Sequence, residues 1–196
     1  MKRFPGRERL NQEERFQAEV MQCELCPLYM DCLSPVPGSG DWSSKIMMVG
    51  EAPGRDEDEG GEPFIGRSGE LLRQTFKRCG LDLEGRVYIT NTVKCRPRDN
   101  RTPTEEEANT CANQWLTQEM ENVTPEAIVL LGRVAQKYVL PYAAIGEGGR
   151  IMQNGVECYY LHHPSYWGRQ GQAYIKGRVA PKIKDWIHEW RVKLWV

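Results

Sequence analysis

The chain lacks any run approaching the ~18 apolar residues that a membrane-spanning helix needs, so no membrane is expected as a partner. Its start, MKRFPGRERLNQEERF, has no apolar stretch of the kind a secretory signal carries. A cytoplasmic location follows as the expectation, with cysteines held reduced rather than paired as disulfides. Nor is there an excess of charge of one sign. Lys and Arg total 26 against 27 Asp and Glu, a net charge of −1 that names no partner. No internal repeat or low-complexity tract interrupts the sequence. What remains is a 196-residue chain with 40% hydrophobic residues, suited to one domain, 1–196, with a buried core.

Charge is uneven along the chain. Arg169, Lys176, Arg178, Lys182, Lys184, Arg191 and Lys193 crowd the C-terminal segment against Asp185 and Glu189 alone. Lys94, Arg96, Arg98 and Arg101 form a second cluster, while acids gather at 56–62 and 105–107. Such patches are compatible with phosphate binding and equally with solvated helical faces.

Short apolar runs at 45–50 (KIMMVG), 87–91 (VYITN), 127–132 (AIVLLG) and 157–162 (ECYYLH) read as strands. Helical patterns occupy 8–21, 69–79, 104–122, 134–141 and 180–195, with Thr104 and Glu107 spaced as a capping box. Strands alternating with helices predict a parallel sheet covered on both faces. In such sheets the ligand lies beyond the carboxyl ends of the strands. That rule selects four segments: 51–54 (EAPG), 91–96 (NTVKCR), 132–133 (GR) and 162–165 (HHPS).

Seven cysteines are present. Cys23 and Cys26 form a C-x2-C pair, a turn that presents two thiolates to one face of a metal centre. A second C-x2-C or a close histidine pair, which zinc would favour, is missing. Spacing alone favours a metal or cluster over fortuitous thiols but leaves the remaining ligands open. Cys79 and Cys158 sit among apolar neighbours and read as core thiols.

The stretch Gly50-Glu-Ala-Pro-Gly54, continued through an acidic run to Pro63-Phe-Ile-Gly-Arg-Ser-Gly69, closely resembles the iron–sulfur (family 4) uracil-DNA glycosylases. The resemblance continues in order through 91–97 (NTVKCRP), 100–103 (NRTP), 130–132 (LLG) and 163–165 (HPS). It implies a three-layer α/β/α sandwich on a four-stranded parallel sheet, with a [4Fe–4S] cluster held by Cys23, Cys26, Cys95 and Cys111. The segment 1–40 would supply the N-terminal helix and part of the cluster site.

The implied reaction is hydrolysis of the N-glycosidic bond of uracil in single- or double-stranded DNA, leaving an abasic site. A target base inside a duplex must first be flipped into a pocket. By resemblance, Phe64 stacks on the base, Asn91 reads its edge, and backbone near Ala52 lines the pocket. His163 bonds the leaving uracil, while Glu51 and Glu57 orient water or stabilise the cationic sugar. Read without the motif, Phe64 is a core residue, Asn91 a strand-end turn residue, and 162–163 two strand-end histidines.

After Ser165 the chain departs from the family pattern. Residues 166–178 (YWGRQGQAYIKGR) stand where the family's DNA-facing loop is, so the resemblance implies a DNA-facing loop here, with Ser165, Trp167 and Arg169 as DNA contacts and Trp167 as a wedge. The resemblance further implies a monomer from a bacterial, archaeal or phage-infected cell, with any replication or repair partner unspecified. Competing readings are a glycosylase for another modified base and a non-catalytic DNA-binding module. A magnesium nucleotide hydrolase is weaker, for want of a phosphate-cradling glycine loop.

Overall fold

The computed structural model describes residues 11–194, with side chains described to residue 190. The calls at 8–10 and on Arg191, Lys193 and Trp195 lie outside what is described. The core is an α/β arrangement around a mixed sheet of five strands in the order β2-β1-β3-β5-β4. Strands β1 (Ile46–Gly50), β2 (Val87–Asn91), β3 (Ala127–Leu131) and β5 (Val156–Leu161) run parallel. The expected four-stranded parallel sheet is therefore corrected by one strand. β4 (Arg150–Gln153) pairs antiparallel with β5 at the edge. Asn154 and Gly155 both have positive φ, 51° and 83°, and form the tight turn that makes this hairpin.

Alternate residues of each strand point to opposite faces. Met48, Val129 and Leu161 share one apolar layer with Leu72 and Phe76 of α3 (Arg67–Cys79) and with Ile183 and Trp186 of α9 (Ala180–Leu194). Val49, Leu130 and Tyr160 face the other layer. There they meet Leu116, Val123 of α5 (Thr117–Val123), and Ala135 and Val139 of α6 (Arg133–Val139). Covering both faces explains why the parallel strands β1 and β3 read as unbroken apolar runs.

A third, smaller core joins Phe16 and Val20 of α1 (Gln12–Met21) to Leu28, Val93, Cys95, Cys111 and Trp115. Phe16 meets Trp115 edge-on at 5.7 Å between ring centres. The predicted helix over 104–122 forms as α4 (Glu105–Cys111), a π turn (Ala112–Leu116) and α5, with the expected capping box at Thr104 and Glu107. Among the described residues no helix is long and apolar enough to cross a membrane.

The segment read as a loop at 166–178 is instead helical. It comprises α7 (Pro164–Gln170), α8 (Gln172–Tyr174) and most of a π turn (Ile175–Val179). Pro164 occupies the first turn of α7, where its missing N–H costs nothing. Trp167 turns inward from α7 and is fully buried in the layer shared with Leu72 and Phe76. In this conformation it is a core residue, and the expected wedge contact is withdrawn.

Candidate active site

A cavity of about 390 Å³ opens beyond the carboxyl ends of β1, β2 and β5. Residues 51–54, Asn91 and His163 line it, so three of the four segments selected by the strand-end rule converge there. The fourth does not line it. Gly132, at φ 102°, packs behind His163, while Arg133 bonds Gln136 and the Ile145 carbonyl.

Asn91 ends β2 in register with Gly50. It is 2% exposed, yet among the described residues its Oδ1 has no hydrogen-bond partner. An unsatisfied buried acceptor is costly, and in a cavity wall it points to a ligand donor. Gly50 is needed beside it, because a Cβ there would stand 2.4 Å from Asn91 Oδ1 and 2.5 Å from Phe64 Cζ.

Phe64 is buried against the cavity, its ring centre 5.9 Å from that of His163. Its φ of 58° is an uncommon conformation for a bulky side chain. Two features hold it: Arg73 Nη1 donates to the Phe64 carbonyl, and Gly69 gives that carbonyl room. A Cβ on Gly69 would lie 1.5 Å from Phe64 O. Gly69→Ala is thus expected to displace Phe64, lowering both activity and stability, the latter by about 1–3 kcal/mol. Thermal melting and excision kinetics on one preparation check both.

His163 precedes α7, and its Nδ1 accepts the Ser165 backbone N–H at 3.2 Å, with Ser165 Oγ also 2.9 Å away. That assignment leaves Nε2 as the N–H donor of a neutral ring. Burial, assisted by the Arg169 charge, lowers the His163 pKa to about 4, so the ring stays neutral at physiological pH.

The two carboxylates differ. Glu57 in α2 (Arg55–Gly60) spends Oε2 on the Gly54 N–H (3.0 Å) and Oε1 on the Gly66 N–H (2.8 Å). It clips together the two loops that carry Ala52 and Phe64. Glu51 is half-buried on the cavity wall, and desolvation raises its pKa. A carboxyl whose folded pKa is raised stabilises the fold fully below its ordinary value and loses that contribution as pH rises from there through its raised folded value. Glu51→Gln is therefore expected to raise the melting temperature at pH 7 while slowing catalysis, measured by calorimetry and single-turnover kinetics.

Sequence reasoning gave no place in the pocket to Ser68, Asn100, Arg101 or Tyr166, which also line the cavity. The signal was present in the 100–103 motif. Asp99 and Asn100 take consecutive positive φ values of 55° and 53°. Asn100 accepts from Arg96 Nε at 2.8 Å, and Arg101 forks onto Glu107 at 2.7 and 2.8 Å. These bonds hold Glu107 down to about 2. Ser165 and exposed Arg169 stand at the rim.

Cys23, Cys26, Cys95 and Cys111 line one small, predominantly apolar cavity with Leu28, Lys94 and Trp115, and Cys32 is not part of that lining. Trp115 Nε1 donates to Cys23 Sγ at 3.1 Å and the Lys94 N–H to Cys111 Sγ at 3.3 Å. Four soft sulfur donors with N–H groups aimed at two of them suit an iron–sulfur cluster in donor chemistry. Among the described residues no group of three His, Cys, Asp or Glu forms a site for a single metal ion.

The sequence pattern of the Uracil DNA glycosylase superfamily matches residues 37–187. The chain belongs to that superfamily. Within it, the chain is similar to type-4 uracil-DNA glycosylases. That of Thermotoga maritima is 43% identical over 170 residues, 84% of this chain and 88% of the relative. Those of Archaeoglobus fulgidus and Sulfurisphaera tokodaii are 46% and 42% identical over 121 and 135 residues. These two matches take in 62% and 68% of this chain but 60% of each relative's length. This superfamily member thus spans about three fifths of those two proteins, and nearly all of the Thermotoga one.

Proposed function

We propose that the chain is a monofunctional uracil-DNA glycosylase, hydrolysing the N-glycosidic bond of uracil in DNA and leaving an abasic site. The observation that carries this reading is the buried, partnerless Asn91 Oδ1 in the cavity wall. Uracil offers N3–H to that oxygen and O4 to the amide N–H; cytosine offers a lone pair at N3 and an amino group instead. The flipped base stacks on Phe64, whose conformation is fixed by Gly69 and Arg73.

Breaking the bond leaves negative charge on uracil and positive charge on the sugar. His163 Nε2–H, oriented by the Ser165 N–H behind it, donates to the oxygen where the negative charge grows. A neutral donor suffices, and its low pKa keeps it neutral. Ionised Glu51 orients the attacking water or stabilises the sugar cation. Glu57 acts through the backbone it clips and is a positioning residue. Ser165 and Arg169 at the rim contact the DNA backbone.

Cys23, Cys26, Cys95 and Cys111 would hold a [4Fe–4S] cluster. Bound there, it supplies a rigid cross-link between the N-terminal segment, the chain beyond β2 and the end of α4. Visible absorption with stoichiometric iron checks this assignment, and zinc without iron in anaerobically prepared protein counts against it.

The function is tested with oligonucleotides carrying uracil, hypoxanthine or xanthine, followed by alkaline cleavage of abasic sites. Uracil release is expected. Its absence from both single- and double-stranded DNA overturns the reading, and preferential release of another base assigns a different substrate.

A further inference from the structure

Lys94 and Glu119 form a buried ion pair, Nζ to Oε2 at 2.6 Å, with side chains 1% and 0% exposed. Taking both charges out of water is expensive, and apolar pairs of similar volume often serve stability as well or better. Stability by itself thus gives a weak reason for this pair, and its bonds give a more specific one.

The Lys94 ammonium has three N–H groups, matched by three acceptors: Glu119 Oε2, Thr90 Oγ1 at 2.6 Å and the Asn91 carbonyl at 2.8 Å. Glu119, from α5, is itself held. It accepts from the Gly38 N–H at 3.0 Å, Tyr88 OH at 3.2 Å and Thr90 Oγ1 at 2.9 Å. The Asn91 carbonyl belongs to the peptide that joins Asn91 to Thr92. Thr92 is secured from the other side, its N–H and Oγ1 donating to the Gly50 carbonyl at 2.9 and 2.8 Å. The direction in which the Asn91 side chain leaves the backbone is set by that peptide.

We propose that Lys94, braced by Glu119, is a positioning residue for base recognition: its ammonium locks the Asn91–Thr92 peptide so that the Asn91 amide meets the base in one orientation. This rests on the reading of Asn91 as the base-contacting group. The Lys94 backbone also reaches the cysteine site, its N–H on Cys111 Sγ and its carbonyl accepting the Val36 N–H at 2.7 Å. One residue thereby ties the cysteine cavity to the base pocket, through rigid bonds rather than electron transfer.

Lys94→Met alone leaves Glu119 buried without its cation and is a poor test, since an uncompensated buried charge is strongly destabilising. The double variant K94M/E119L removes both charges. In iron-loaded protein, K94M/E119L is expected to keep its iron content and stay folded at the assay temperature, with a lowered melting temperature because the buried Gly38 N–H and Tyr88 OH lose their acceptor. Its kcat/KM on uracil-containing single-stranded oligonucleotide falls about 10- to 100-fold, the scale for a misplaced recognition group. Release of uracil relative to cytosine falls with it. The side-chain amide resonances of Asn91, one sharp pair in wild type, shift or broaden. Wild-type excision with unmoved Asn91 resonances overturns the proposal. So does a loss of activity fully accounted for by lost iron or unfolding. A wild-type protein that releases no uracil defeats the functional reading, and the Asn91 resonances then still decide whether Lys94 orients this side chain.

Discussion

His163→Ala is expected to lower the single-turnover rate of uracil release by about 10²- to 10³-fold, the usual effect of removing one preorganised donor to a developing anion. Oligonucleotide affinity and its salt dependence should change little, because the ring removed is neutral: burial has already pushed its pKa to about 4. The pH profile sharpens the test. Were an imidazolium the active form, the wild-type rate would decline as pH rises through the ordinary histidine range. A neutral donor gives no such decline, and any acid-side decline follows Glu51, whose carboxyl titrates above its ordinary value. An alanine variant as fast as wild type would remove His163 from the chemistry.

Asn91→Asp is expected to cost more. The side chains are nearly the same size, so the variant should fold, yet the position is 2% exposed. A carboxyl there is driven toward its protonated form, since ionising it without a partner is costly. Protonated, it offers O–H and C=O in the order that suits the N3 and amino group of cytosine. Uracil kcat/KM should fall on the order of 10³-fold or more, as when a site built for particular hydrogen bonds loses them. The uracil-to-cytosine ratio should collapse with it. Competition assays on matched oligonucleotides measure that ratio directly, and an unchanged ratio would show that Asn91 does not read the base.

Some of this was legible in the residues. The strand runs 87–91 and 127–132 were placed within a residue of β2 and β3, because a strand buried on both faces is rich in apolar, aromatic and β-branched residues. The convergence of 51–54, Asn91 and His163 on one cavity follows from parallel strands ending on the same side of the sheet. β4 was missed, although Asn154-Gly155 is a strong hairpin signal, because exposed Met152 and its neighbours give no apolar run. The 166–178 segment misled for the opposite reason. Its glycines suggested a loop, while the helix-starting Pro164 and the inward period of Trp167, Ile175 and Val179 decided otherwise.

The sequence by itself determined the alternation of strands and helices, the motif residues at the strand ends and the C-x2-C pair. These are local: each depends on neighbours a few positions away and on the period of the apolar pattern. Tertiary structure alone decided what long-range contact defines. It made Glu57 a clip between two loops and left the Asn91 acceptor unpaired in a wall. It withdrew Trp167 from the surface, gathered four cysteines around one cavity, and set Lys94 between Glu119 and the Asn91 carbonyl. The physical reason is that burial and hydrogen-bond partnership belong to the packed chain. A residue's neighbours in sequence carry no record of which distant group will desolvate it or satisfy it.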